Sequence, residues 1–268
     1  VKKREPEKNP SLPTGKSVIS FSELVDHVEC SFRHKLKHID KIDKFEENVN
    51  TNFGTALHDS CEHYLKNREM RYEIALDYII EAWEKFNLPN MGDWMIQANA
   101  ILEAVPGFLD TRFPGWECFD AEERLEESIE EHKDVRFKGY IDGIIKHDGL
   151  YWIIDWKTST KGWNDYKKKD EKLKMQLILY SEYWGNKHNI PLEKIRVGFA
   201  VMNRDLKNPE RIEFFTFDVD KKRQKKTLNV LNNSISMIKS RKHFKEWKNK
   251  KFPGSCRFCD YDGTKHCP

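Results

Sequence analysis

The chain has 268 residues and a formal net charge of +3, long enough to bury a substantial core as one domain with an elaborated insertion. No apolar run approaches the ~20 residues that cross a bilayer, which excludes a membrane-spanning helix, and no signal peptide is read at the start. Six cysteines without such a signal argue against a disulfide framework and for an intracellular, cytoplasmic protein, with a prokaryotic or phage-encoded source fitting that expectation.

Residues 1–17 are rich in Lys, Glu and Pro with hardly an apolar residue, and read as a flexible tail. Order is expected from Val18, with Ser20 or Ser22 capping a helix that carries Leu24, Val25 and Val28 and delivers Cys30. A second helix opens at Phe53 and Gly54, passes His58 and Cys61, and runs to about Lys66. Taken alone, a Cys or a His on such helices reads first as a packing residue. Residues 71–113 read as wholly helical, punctuated by Pro89, Gly92, Pro106 and Gly107, with no chemistry in view. Cys61 and Cys118 have no partners at ligand spacing and read as structural. The segment Trp116–Ile129 reads as the first strand, with Glu122 early in it. Because Glu123, Glu126 and Glu127 stand beside it, a metal-facing acid and a solvated acidic face are both open readings.

The stretch 137–157, FKGYIDGIIKHDGLYWIIDWK, reads as two β-strands joined by a turn at His147–Asp148–Gly149. Three residues in it do not suit a buried strand: Asp142, Asp155 and Lys157. Side chains alternate along a strand, so Asp155 and Lys157 share a face while Trp156 takes the other. Antiparallel pairing can bring Asp142 beside them. Two carboxylates and an ammonium at the end of a hairpin suit a divalent cation and a water, since Mg²⁺ is commonly held by one or two carboxylates plus phosphate oxygens and waters. The bland reading is a surface ion pair between Asp155 and Lys157; the apolar runs before each acid argue against it.

Residues 158–170 are polar and carry Trp163 and Tyr166, aromatic rings able to stack on unpaired bases. The helix that follows, roughly Lys172 to Lys187, puts Gln176 and Tyr180 one turn apart on one face, for contact with a phosphate or base, or simply to cover a sheet edge. Two more strands are read at 194–202 and 211–217, completing a mixed sheet flanked by helices. From Lys221 to Lys251 twelve Lys and Arg stand against one acid, Glu246. Lys221, Lys222, Arg223, Lys225 and Lys226 open this helix, as a solvated face or as a surface for a polyanion. The chain closes on Cys256, Cys259 and Cys267, three cysteines within twelve residues, a pattern that suggests a metal centre whose fourth ligand would be Cys30. An iron–sulfur cluster and a zinc site, with His266 adjacent, both take such ligands.

These motifs resemble the PD-(D/E)xK nuclease superfamily, and within it the RecB-like exonuclease branch. Gly139 to Asp142 matches its G-x-x-D, Ile154-Asp155-Trp156-Lys157 its apolar-D-x-K, Gln176 to Tyr180 its Q-x-x-x-Y, and Gly54 with His58 its G-x-x-x-H. Ile141 departs from the namesake Pro. The one-plus-three cysteine arrangement resembles that of AddB-like and CRISPR adaptation nucleases, which implies that Cys30, Cys256, Cys259 and Cys267 hold a 4Fe-4S cluster in preference to zinc.

The resemblance implies an α/β restriction-endonuclease-like core: a flexible tail at 1–17 and one nuclease domain at 18–268. Within that domain, about 67–115 would be a helical insertion, 116–217 the catalytic sheet, 218–251 a basic helix, and 252–268 the cluster segment paired with Cys30. It implies a Mg²⁺- or Mn²⁺-dependent deoxyribonuclease acting on single-stranded DNA or DNA ends. Asp142, Asp155 and His58 would be its metal ligands, Glu122 a further candidate ligand, and Lys157, Gln176 and Tyr180 further site residues. RNA remains an open substrate. The alternative is a DNA-end-binding module of a recombination or CRISPR adaptation complex, docking a helicase or integrase, with incidental cleavage.

Overall fold

The computed structural model describes residues 9–42, 48–241, 256 and 259–267. The elements in order are β1 (Val18–Ser20), α1 (Phe21–Glu29), α2 (Ser31–His34) running into a π-helical turn Lys35–Ile39, α3 (Val49–Asn67), α4 (Tyr72–Lys85), α5 (Met91–Arg112), β2 (Glu117–Ile129), β3 (His132–His147), β4 (Leu150–Ser159), α6 (Asp165–Lys168), α7 (Glu171–His188), β5 (Ile195–Asn203), β6 (Ile212–Thr216) and α8 (Lys221–Ser240). A six-stranded sheet has the order β1-β3-β4-β5-β6, with β2 paired to β3. β1 and β3 run parallel, β3 and β4 antiparallel, β4 and β5 parallel, and β5 and β6 antiparallel. The sheet is mixed and flanked by helices. The short strand β1 lies where the sequence suggests only the approach to a helix; three residues are too few to show a period of two.

The chain divides into two compact units. One is built from 1–45, 125–139 and 221–268, the other from 46–124 and 140–220. In the second, β4 is the central strand, and Ile153, Ile154 and Trp156 are buried along it. The turn into β4 is Asp148–Gly149, both with positive φ of 49° and 71°, the pairing that a two-residue hairpin turn of the primed type requires.

Helix α3 begins at Asn48, whose side chain accepts the Thr51 amide at 3.0 Å. Phe53, Ala56, Leu57, Ser60, Cys61, Tyr64 and Leu65 are its inward face, the three-four spacing of a half-buried helix. Gly143 is where it meets the sheet: a Cβ there would lie 2.6 Å from Leu65 Cδ1. Helix α5 runs unbroken through Pro106, so that proline does not punctuate it. The proline costs one internal hydrogen bond, and the burial of Ile101, Leu102, Val105 and Leu109 offsets the loss.

In the first unit, Ser20 caps α1 by accepting the Glu23 amide at 3.2 Å. Leu231, Ile235 and Ile238 of α8 are buried. Lys239 of α8 pairs with Asp134 of β3 at 2.6 Å. Residues 242–251 of the basic segment and residues 1–8 of the tail expected at 1–17 lie outside the described residues.

Candidate active site

Alternation along β4 sends Trp156 into the core, packed edge-on against Phe108, and leaves Asp155 and Lys157 together on the other face. Their ion pair spans 2.5 Å between Lys157 Nζ and Asp155 Oδ2, and Asp155 is buried. The β3–β4 register pairs Gly143 with Ile154, so Asp142 is the next residue along and reaches β4 from its neighbouring strand. Its Oδ2 accepts the Trp156 backbone N–H at 2.8 Å. Its Oδ1 lies 3.6 Å from His58 Nδ1, the imidazole being carried in by α3.

The fourth contributor is Glu122 of β2. Its φ of 54° is a left-handed backbone inside a strand, a conformation that costs of order 1–3 kcal/mol for a residue other than glycine. Glu123 next to it is committed elsewhere: its carboxylate takes the Trp184 indole N–H at 2.7 Å, Lys187 at 2.6 Å and His188 at 2.7 Å. Ligand atoms of His58, Glu122 and Asp142 all lie within 4.8 Å of one another. Of the two readings open for Glu122, its placement beside His58 and Asp142 favours the metal-facing one. The run of four glutamates hides it in the sequence, because a positive φ leaves no compositional trace outside Gly and Asn.

The electrostatics of this group ask for a cation. Burial, and then the negative charge of Asp155, push the Asp142 carboxyl up to about 8. Burial and then the charge of Asp142 push Glu122 up to about 7. Burial likewise lowers His58, keeping the imidazole neutral and able to act as a ligand. Burial alone would lower Lys157 as well, but the charges of Asp155 and Asp142 hold it above the ordinary lysine value. The site is therefore short of positive charge by more than its one ammonium supplies. One imidazole and two carboxylates converging on a common point fit a divalent cation.

Gln176 and Tyr180 lie on α7, where Gln176 Nε2 donates to Tyr180 Oη at 3.3 Å. Burial and then the charge of Asp155 raise the Tyr180 hydroxyl, which places it within the field of the same carboxylates. The two aromatic residues proposed for base stacking differ. Tyr166 is 86% exposed, whereas Trp163 is 5% exposed, its ring centroid 5.1 Å from that of Phe199. The reading of Trp163 as a stacking surface is corrected accordingly: Phe199 already covers a ring the core has taken in.

The remaining candidates belong to the first unit. On α8, Lys221, Lys222, Lys225 and Lys226 are exposed and Arg223 is half-buried. Cys30, Cys259 and Cys267 pack against one small apolar cluster of Phe32, Leu36 and Tyr261. Cys30 Sγ accepts the Arg33 amide at 3.4 Å, and the Cys259 amide donates to the Cys256 carbonyl at 3.0 Å. Tyr261 ties this segment down by donating its hydroxyl to the Ile42 carbonyl at 2.7 Å.

Among solved structures, a Eubacterium rectale protein described as a "Putative exonuclease" is similar over 84% of this chain and 82% of its own, with a TM-score of 0.53 and 12% identity; at that identity the likeness is one of fold. The structure described as SSO0001 matches over 90% of both chains with a TM-score of 0.37 and 16% identity. Among curated proteins, none matches. No helix among the described residues is long and apolar enough to cross a membrane. The sequence model of the PD-(D/E)XK nuclease superfamily matches residues 18–264, nearly the whole chain, and the chain belongs to that superfamily.

Proposed function

We propose that the protein is a Mg²⁺- or Mn²⁺-dependent nuclease of the RecB-like branch, hydrolysing phosphodiester bonds of DNA at single strands or duplex ends. The observation that carries this reading is the meeting of His58, Glu122 and Asp142 beside the Asp155–Lys157 ion pair. A protein that only bound DNA ends would have no need of a cation site with an ammonium held next to it.

In the proposed mechanism His58, Glu122 and Asp142 would hold the cation, with Asp155 as a further ligand. A cation bound there would supply a water of lowered pKa and neutralisation of the charge on the scissile phosphate. Lys157, oriented by Asp155, directs a water towards phosphorus and stabilises the charge that builds there. Trp156 holds Asp142 in place through its backbone N–H. Gln176 and Tyr180 border the site and contact the substrate near the phosphate under attack. The exposed lysines of α8 add phosphate contacts that carry no part of the chemistry.

The cysteine segment supports a second, structural metal centre, which we assign to a 4Fe-4S cluster on Cys30, Cys256, Cys259 and Cys267. The apolar surroundings of Phe32, Leu36 and Tyr261 and the Arg33 amide on Cys30 suit half-buried cluster ligands.

The test of the enzyme reading is incubation with end-labelled single- and double-stranded oligonucleotides, with Mg²⁺, with Mn²⁺ and with chelator. Metal-dependent shortening of the label is expected. Binding of ends without cleavage under every condition would overturn it in favour of the end-binding module.

A further inference from the structure

Arg204 is a cation that the catalytic reading does not use. It follows directly on the last residue of β5, and its backbone N–H donates to the Ser159 carbonyl at the end of β4, 2.9 Å away. Its guanidinium lies over the Trp94 ring, 4.3 Å from the centroid, and 5.8 Å from that of Phe53. Nη2 donates to Thr160 Oγ1 at 2.7 Å. Among the described residues no carboxylate pairs with it, although most of the other half-buried cations in the molecule have one. Burial lowers its affinity for a proton, in keeping with a charge that is partly desolvated and uncompensated.

The position of this group relates it to the candidate active site. Thr160, its anchor, stands three residues after Lys157 on the same chain segment. Phe53, beneath it, stands five residues before His58 on α3, about 7.5 Å along the helix axis. The two elements are close at this end, since a Cβ on Gly54 would lie 3.9 Å from Thr158 Oγ1. A phosphodiester chain places a negative charge about every 3.4 Å of duplex axis on each strand. A strand crossing the catalytic group therefore brings a neighbouring phosphate, not the scissile one, to this distance.

We infer that Arg204, clamped by Trp94, Phe53 and Thr160, is a positioning residue that grips a backbone phosphate of the polynucleotide one or a few nucleotides from the bond being cut. This rests on the nuclease reading and adds to it a substrate contact. A planar guanidinium stacked on rings keeps part of its fork of donors for a phosphate, and is already ordered before the ligand arrives. Orientation of that kind lowers the cost of fixing the strand against the metal site.

The experiment measures binding of a fluorescein-labelled single-stranded oligonucleotide by anisotropy across a salt series, in chelator, for the wild type, Arg204→Gln and Arg204→Lys. Arg204→Gln is expected to bind about tenfold more weakly, the loss of one charge-assisted contact. Its log affinity should also depend on log salt with a slope shallower by about 0.7. Arg204→Lys should keep the slope and lose part of the affinity. A merely structural arginine would shift the melting temperature without touching the salt slope. Wild-type affinity and slope in Arg204→Gln would overturn the inference while leaving the nuclease reading standing. A wild type that neither binds nor cleaves would sink that reading first. Should Arg204→Gln fail to fold, Arg204→Lys decides alone, and wild-type affinity in it overturns the inference.

Discussion

The backbone N–H of Trp156 holds the Asp142 carboxylate at 2.8 Å, so the residue between Asp155 and Lys157 fixes the acid on the adjacent strand. One strand thus supplies an acid and an ammonium through its side chains and, through its main chain, the placement of the second acid. Asp142→Asn can keep this bond, because an amide oxygen still accepts, while losing the charge that attracts a cation. The variant is expected to fold with a normal melting temperature in chelator and to lose the rise in melting temperature that Mn²⁺ gives the wild type. Cleavage should fall by about 10²–10³-fold or more, the scale seen when one electrostatic contributor is removed from an active site. Wild-type turnover by Asp142→Asn would end the assignment of this carboxylate.

A second prediction follows from the raised carboxyls. Asp142 at about 8 and Glu122 at about 7 both exceed the ordinary carboxylate range near 4. The folded, metal-free protein thus keeps protons that the unfolded chain releases. The stability this gives is complete below the unfolded value and is lost as pH rises through about 7 to 8. A divalent cation replaces those protons, so its binding strengthens with pH. The rise in melting temperature on adding Mn²⁺ should be clearly larger at alkaline than at mildly acidic pH. The double variant Glu122→Gln, Asp142→Asn should flatten both the metal response and the pH dependence in chelator. A metal response independent of pH would contradict this account.

Much of the site is legible in the sequence because its residues violate the local pattern. Asp142, Asp155 and Lys157 interrupt apolar strand runs, and the two-residue turn fixes the register that brings them side by side. The face of α7 carrying Gln176 and Tyr180 follows from helical spacing alone. Glu122 is less legible, since its distinction from Glu123 lies in a backbone angle and in which partners each side chain finds across the fold. Trp163 misleads for the opposite reason: composition marks an aromatic residue in a polar loop, but only tertiary packing shows that Phe199 covers it. Arg204 is equally hidden, as its rings and its anchor come from three separate elements.

Asp26 makes an acid-sensitive joint in the first unit. It is buried and takes Lys37 at 2.9 Å, His38 Nε2 at 2.8 Å and the Arg33 guanidinium. Burial alone would raise its carboxyl, but the hydrogen bonds from His38 and Lys37 and the charge of Arg33 override it and hold the carboxyl far below the ordinary range. A depressed value contributes stability that is present above the unfolded value near 3.9 and drains away as pH falls below it. Asp26→Asn should destabilise by about 3 kcal/mol at neutral pH, the scale of removing one partner from a buried charge cluster. The gap from wild type should narrow at pH 3 and below in urea melts. An equal gap at both pH values would show that lost packing, not charge, is responsible.

The last prediction concerns the cysteine segment. Cys30 stands early in the chain and Cys256, Cys259 and Cys267 late in it, while Cys30, Cys259 and Cys267 share the Phe32, Leu36 and Tyr261 cluster. A metal centre joining them closes a loop of more than two hundred residues. Borrowing the chain-entropy scale of disulfides, so long a loop is worth roughly 4–5 kcal/mol, comparable with the entire stability of a small domain at about 5–15 kcal/mol. All four cysteines belong to the first unit, whereas the carboxylates proposed to hold the catalytic cation belong to the second, so loss of a cysteine should act on folding and not on chemistry. Cys30→Ala and Cys267→Ala are expected to yield poorly soluble protein whose soluble fraction melts lower. The Mn²⁺ response of whatever remains folded should be intact. Anaerobically purified wild type should be brown, with broad visible absorbance that bleaches on reduction and about four irons per chain, the count of the cluster. Colourless protein with stoichiometric zinc and no iron would replace the cluster by a zinc site while leaving the clamp on the chain ends in force. Wild-type solubility and melting in Cys30→Ala would remove the clamp itself.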